Sequence, residues 1–239
     1  MASAADGRVG CRTDCAQMSE TPQGGPMCAG IGSAGAGARL NALLAASGLE
    51  PLDEATAAQF EAYLVVLRRW NSRINLTAIR DEEGILARHF VESIACARAL
   101  PAGIGNLLDY GSGAGLPGIP IALCRLEIAV TLAESQGKKA AFLREAVRVL
   151  AIKAKIHEGR AEDLAERFDC VALRAVERMA EAVKHAGART KTGGWLAVMT
   201  TGGELDAVKR SAGVGFRWEP AAKLPGGEDR VLALGQRAG

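Results

Sequence analysis

The stretch Leu108-Asp109-Tyr110-Gly111-Ser112-Gly113-Ala114-Gly115-Leu116-Pro117-Gly118 decides how the rest of the chain is read. It closes a short apolar run at 104–109 that ends in an acid, and it leads into a helical segment at 117–123. Strand, glycine-rich turn and helix make the opening unit of an α/β sheet, where ligands sit beyond the carboxyl ends of the strands. Gly111, Gly113 and Gly115 strip side chains from that position, so the backbone can approach a ligand closely and adopt positive φ where needed.

Downstream, the alternation continues. Apolar runs at 128–133, 153–157, 168–173 and 195–199 read as strands, and amphipathic segments at 138–150, 177–189 and 204–210 read as helices. Two last apolar runs, 214–218 and 230–234, have no helix between them and are expected to pair antiparallel. The pattern predicts a doubly wound, mostly parallel, seven-stranded sheet covered on both faces, with a terminal antiparallel strand.

Upstream the period changes to that of helices. Leu40, Leu43 and Leu44 share a face, and Gly48 stops that segment. Beyond Pro51, Phe60, Tyr63, Leu64 and Leu67 recur at i, i+3, i+4 and i+7, in a helix running to about Asn71. A third helix is expected over 82–100, closed by Pro101 and Gly103. Residues 39–102 thus read as an N-terminal helical cap on an α/β domain at 103–239. Residues 1–38 hold eight glycines and two prolines with little apolar periodicity, and are expected to be a disordered tail. Met27 lies in it as an alternative start.

With 239 residues, 49% of them hydrophobic and 23% charged, the chain can bury a substantial core. A net charge of +2 excludes a histone-like polycation but not a local basic patch. No apolar run reaches the roughly 18 residues of a membrane span, and the N-terminus lacks the apolar stretch of a secretory signal. Cys96, Cys124 and Cys170 lie singly in apolar segments. Cys11 and Cys15 are spaced C-x3-C, Cys28 stands apart, and His89, His157 and His185 are scattered. No metal site is expected, and reduced thiols in the cytoplasm are the simplest reading.

The glycine stretch fits two patterns. Residues 113–118 match G-x-G-x-x-G, the dinucleotide fingerprint, which points to an NAD-dependent oxidoreductase. Residues 109–115 match D-x-G-x-G-x-G, the loop of S-adenosylmethionine-dependent methyltransferases. The second is favoured because the glycines begin two residues after Asp109, which ends the strand in position to bind the methionine ammonium. The terminal strand pair fits it too. Glu134 ends the next strand, 25 residues after Asp109, where a carboxylate accepts ribose hydroxyls of either cofactor. Ala161 and Glu162 follow the third strand, where this fold's loop would flank an adenine, although taken alone they read as an ordinary helix N-terminus. Arg174 ends the fourth strand, where an unpaired charge is costly. It is expected to meet an anion in the site, a structural salt bridge being the alternative.

Further motifs sharpen this. Trp70-Asn71-Ser72-Arg73-Ile74-Asn75-Leu76-Thr77, Arg88-His89-Phe90-Val91-Glu92-Ser93 and Leu116-Pro117-Gly118-Ile119-Pro120 occur in order, followed by Glu134-Ser135 with Lys138-Lys139, and by Arg174-Ala175-Val176. Together they resemble the bacterial 16S rRNA guanine N7-methyltransferases known as RsmG or GidB. The resemblance covers about 67–233. It implies the class I methyltransferase fold, S-adenosyl-L-methionine as cofactor, and cofactor contacts at Gly111, Leu116, Ala161, Glu162 and Arg174. It also implies methylation at N7 of guanine 527, in the 530 loop of 16S rRNA, either free or in a small-subunit assembly intermediate. The sequence departs from the family at Glu92, usually Asp, at Tyr110, usually small and aliphatic, and at Met199-Thr200-Thr201-Gly202, where Leu-Lys-Gly is usual.

Guanine N7 carries a lone pair and no proton, so the reaction needs alignment rather than a general base, and no catalytic residue is assigned. Because A-form RNA hides this edge in a deep groove, the target is expected to be an unpaired, splayed base. Trp70, Tyr110 and Phe90 could stack on it or pack in the core. Arginines at 68, 69, 73, 80 and 88, and the basic residues Lys138, Lys139, Arg144 and Arg148, could meet phosphates or form solvated helix faces. From these and their motifs, Arg73, Asn75, Arg88, His89, Lys138 and Lys139 are the RNA-binding candidates. No long exposed apolar stripe calls for a partner chain, so a monomer is expected.

Overall fold

The computed structural model describes residues 34–239 except Glu228. Helix α1 (Ala36–Ala46) begins inside the stretch that composition assigned to the tail. Residues 36–38 are its first turn, because Ala36, Gly37 and Leu40 are buried. Residues 1–33 of that tail, with Cys11, Cys15, Cys28 and Met27, lie outside the described residues.

Helix α2 (Glu54–Asn71) starts at Asp53, whose carboxylate accepts the Thr56 amide at 2.9 Å. Its stripe of Phe60, Tyr63, Leu64 and Leu67 is buried as the periodicity predicts. The expected third helix is interrupted. A turn of helix α3 (Glu82–Gly84) passes into a π-helical segment, Ile85–Val91, and then into α4 (Glu92–Ala99). Such widened turns often occur at functional sites, and this one carries Arg88 and His89.

The sheet comprises β1 (Asn106–Tyr110), β2 (Ala129–Ala133), β3 (Ala154–His157), β4 (Phe168–Arg174), β5 (Thr190–Thr201), β6 (Phe216–Trp218), β7 (Ala222–Lys223) and β8 (Arg230–Arg237). Helices α5 (Gly118–Cys124), α6 (Gly137–Leu150), α7 (Met179–Arg189) and α8 (Leu205–Ala212) connect them. The strand order is β3-β2-β1-β4-β5-β8-β6. The seven expected strands lie on this path, and the two-residue β7 pairs with β8 as an eighth. Strands β1 to β5 run parallel to one another, whereas β8 runs antiparallel between β5 and β6.

The winding reverses between β1 and β4, which opens a crevice at their carboxyl ends. Tyr110 is in register with Leu173 there, so the glycine turn after β1 sits beside Arg174 at the end of β4. One apolar cluster joins Phe60, Phe90 and Ile94 to Leu107, Leu132 and Leu232. The helices before 102 therefore share a core with the sheet, and packing does not break at the boundary drawn from sequence. A second cluster, with Leu108, Leu173, Val183 and Leu196, covers the other face.

Candidate functional site

The crevice is a cleft of about 690 Å³. Its lining contains Gly111, Gly113, Leu116, Glu134, Ala161, Glu162, Arg174, Arg88, His89 and Lys139 of the residues singled out from sequence.

The glycine turn is shaped by its own hydrogen bonds. Gly111 has φ 70°, a left-handed conformation that costs any residue with a Cβ. Ser112 donates its amide to Ala133 at 2.9 Å, tying the turn to the end of β2. From behind, the Tyr63 hydroxyl donates to the Ala114 carbonyl at 2.5 Å, and its ring stacks on Phe90 with centroids 4.9 Å apart. Phe90 is thus core and unavailable to a base. Trp70 is also placed away from the cleft lining, with its indole donating to Glu145 at 2.8 Å. Of the three aromatic candidates, Tyr110 alone lines the cleft. Its phenol is pushed upward by burial and by the neighbouring Glu162 carboxylate.

Glu134 lines the cleft and is buried. One carboxylate oxygen accepts the Gly113 amide at 2.9 Å and the other accepts the Gln136 amide at 2.7 Å. A carboxylate has about four acceptor positions. Two backbone bonds fix its orientation and leave capacity for a pair of ribose hydroxyls. Beyond it, Ala161 is buried, and Glu162 is braced by Arg160 at 3.2 Å and His185 at 3.3 Å.

Asp109 departs from expectation. It is 1% exposed and does not line the cleft. One oxygen accepts the Gly118 amide at 3.1 Å, and the other is buried without a partner. Burial raises its pKa to about 7. The side chain anchors the start of α5 instead of reaching toward a ligand. This also gives the dinucleotide reading no support. A pyrophosphate bound by G-x-G-x-x-G needs the free amides of a helix N-terminus, and here Asp109 takes the Gly118 amide while Gly115 takes that of Ile119 at 2.8 Å.

Arg174 makes the structural salt bridge that stood as the alternative. Its Nη2 donates to the Glu92 carboxylate and to the Arg88 carbonyl, both at 2.7 Å, while its buried Nη1 has no partner. Glu92, in the family's Asp position, is fully buried and also binds Arg88 Nε at 3.2 Å. His89 packs here, with Nε2 2.6 Å from the Thr77 hydroxyl. Burial, followed by the charges of Arg174, Arg88 and Arg230, lowers its pKa to about 3, so it is neutral.

Other residues are placed elsewhere. Arg73, Asn75 and Lys138 are exposed but lie outside the cleft lining. Arg68 is paired with Glu82, Arg69 with Glu145 and Arg144 with Glu158, so both basic runs are partly neutralised. Thr200, at the usual lysine position, is buried and donates to Glu204 at 2.9 Å. Sequence reasoning missed Thr77, His185 and Arg230, which also line the cleft. Arg230 begins β8 opposite Thr201, a pairing no local pattern announces. Among the described residues no cluster of His, Cys, Asp and Glu could hold a metal ion, and no helix is long and apolar enough to cross a membrane.

The chain is similar in fold to solved methyltransferases. These include a methyltransferase from Pyrococcus furiosus (TM-score 0.56, 13% identity, 75% of this chain and 98% of that one). Another is P. horikoshii TYW2 in complex with MeSAdo (TM-score 0.53, 17% identity, 63% of each chain). In sequence it is 38% identical over 197 residues to the ribosomal RNA small subunit methyltransferase G of Roseiflexus sp. (strain RS-1), covering 77% of this chain and 84% of the relative. It is 43% identical over 153 residues to the protein of that name from Xanthomonas axonopodis pv. citri (strain 306), covering 63% and 71%. The profile of the GidB family, described as rRNA small subunit methyltransferase G, matches residues 56–211. The chain belongs to the rRNA small subunit methyltransferase G family.

Proposed function

We propose that the protein transfers a methyl group from S-adenosylmethionine to N7 of guanine 527 in 16S rRNA. The observation that carries this reading is the carboxylate of Glu134, fixed by two backbone amides at the switch point of a methyltransferase sheet.

The residues fit the cofactor. Glu134 would take the ribose hydroxyls, Ala161 and Glu162 would flank the adenine, and Gly111, Gly113 and Leu116 would cradle the chain toward the methionine end. Arg174, with its unpartnered Nη1, would meet the carboxylate. Asp109 would support the turn from beneath, through the Gly118 amide. When bound, the cofactor supplies an electrophilic methyl on a sulfonium sulfur. The protein's own part is alignment, since the N7 lone pair needs no deprotonation. Neutral His89 and the partly satisfied arginines face the same cleft and can orient a splayed base.

Lys139, Arg88 and His89 on the cleft are the nearer RNA contacts in this reading, with Arg73, Asn75 and Lys138 farther out on the surface. The proposed substrate is 16S rRNA or a small-subunit assembly intermediate, met in the cytoplasm by a monomer.

The test is mass spectrometry of 16S rRNA from cells lacking the protein. Loss of one N7-methylguanosine at position 527, restored by complementation, is expected. An unchanged modification pattern would reject the assignment.

A further inference from the structure

Three arginines of the cleft converge on one carboxylate. Glu92 is fully buried at the start of α4. Its Oε1 accepts from Arg88 Nε at 3.2 Å, and its Oε2 accepts from Arg174 Nη2 at 2.7 Å. Arg230 Nη2 stands 3.7 Å from Oε2, an ion pair too long for a hydrogen bond. Three guanidiniums against one carboxylate leave two uncompensated positive charges. The excess lies on the two partly exposed arginines, Arg88 and Arg230, which leaves them able to take an anion from the cleft.

The unused donors indicate where that anion would sit. Arg174 Nη1 and Arg230 Nε are both buried and unpartnered among the described residues. Arg174 is committed to the cofactor in the proposed function, which leaves Arg88 and Arg230. Their side chains are 45% and 21% exposed, and both residues line the cleft while paired with Glu92. One comes from the π-helical segment and the other from the first residue of β8, so they approach from different elements. His89 packs against the same group in its neutral form and adds no competing charge.

We infer that Arg88 and Arg230 form a seat for one phosphate of the acceptor RNA, with buried Glu92 as the positioning residue that aims them. Guanidinium forks suit phosphate because they offer paired donors in a fixed plane. A phosphate held at the rim would fix the register of the strand and so help to present a splayed base to the cleft. This inference rests on the proposed rRNA methyltransferase reading.

The experiment uses the full chain and its Arg230→Gln, Arg88→Gln and Arg230→Lys variants. Affinity for 16S rRNA is measured over a series of KCl concentrations with S-adenosylhomocysteine present, and affinity for S-adenosylhomocysteine is measured separately. Arg230→Gln leaves Glu92 with its two hydrogen-bonded arginines, so the fold is expected to hold. Each Gln variant should weaken RNA binding about tenfold and flatten the salt slope by about one counterion, and Arg230→Lys should restore the slope. Affinity for S-adenosylhomocysteine should stay unchanged. An unaltered salt slope in both Gln variants would overturn the phosphate seat. So would a loss confined to S-adenosylhomocysteine, which would give these arginines to the cofactor. Failure of the unsubstituted protein to bind S-adenosylhomocysteine would instead refute the underlying function.

Discussion

The carboxylate of Asp109 and the amide of Gly118, 3.1 Å apart, join the end of β1 to the first turn of α5. The bond spans the whole glycine turn and fixes its two ends. Gly118 has no room for a side chain, since an added Cβ would lie 2.5 Å from that same carboxylate oxygen and 2.4 Å from Leu132. The acid of D-x-G-x-G-x-G is here part of the scaffold under the glycine turn.

Burial sets the pH behaviour of Asp109. Its pKa is about 7 in the fold, against an ordinary 3.8. The folded state therefore holds a proton that the unfolded chain releases, and stability declines as pH rises from about 4 to about 7. Asp109→Asn keeps an acceptor for Gly118 and removes the titration. Between pH 5 and pH 8 the wild type should lose on the order of 2–4 kcal/mol relative to this variant in urea unfolding. Parallel stability curves for the two proteins would show that Asp109 does not titrate in this window.

Gly111 is the position where backbone conformation and ligand space coincide. At φ 70° a Cβ is strained, and it would meet both Val176 methyl carbons at 3.4 Å on the cleft side. Gly111→Val should cost about 1–3 kcal/mol in stability and weaken S-adenosylhomocysteine binding by at least about 100-fold, or roughly 2.7 kcal/mol. Calorimetric titration of the folded variant tests this. Normal affinity would detach the turn from the cofactor.

These residues also show how much of the site was legible in the sequence. Glycine punctuation and apolar runs placed the turn, Glu134 and the succession of strands along the chain, because those signals are local. Sequence places Asp109 at a strand end without revealing which way the acid turns, and in the fold it turns to the Gly118 amide. The arginine cluster was the least accessible part. Arg174 and Glu92 are 82 residues apart, and they meet through a π-helical turn that no periodicity predicts. One clue was present: Glu92 falls on the buried side of an otherwise apolar segment, where a lone acid needs a cationic partner. Arg230 had no such clue, because its neighbours come from the antiparallel return of β8.

Lys138 and Lys139 are adjacent in sequence and differ in position. Lys139 lines the cleft, whereas Lys138 is exposed outside it. Charge reversal of Lys139 should weaken 16S rRNA binding more, by about tenfold, and should flatten the salt slope by at least about one unit. The same change at Lys138 should have a smaller effect, through longer-range repulsion screened over about 10 Å. Filter binding at graded KCl compares them, and equal effects would mean the RNA path runs across the outer helix face instead of into the cleft.

His89 supplies the opposite pH test to Asp109. Burial and three nearby guanidiniums hold its pKa at about 3, below an ordinary 6.5. The unfolded chain gains a proton that the folded imidazole refuses, so stability falls as pH drops below about 6.5. His89→Gln should abolish that decline, leaving the wild type on the order of 1–3 kcal/mol more acid-sensitive than the variant between pH 7 and pH 4.5. Catalysis should be indifferent to this window, since N7 attack consumes no base. NMR of the imidazole gives the direct reading: the His89 carbon signals should stay at their neutral positions from pH 8 to pH 5. A midpoint near 6.5 would mean that this histidine carries charge in the cleft, and the account of a neutral ring packed among arginines would have to be abandoned.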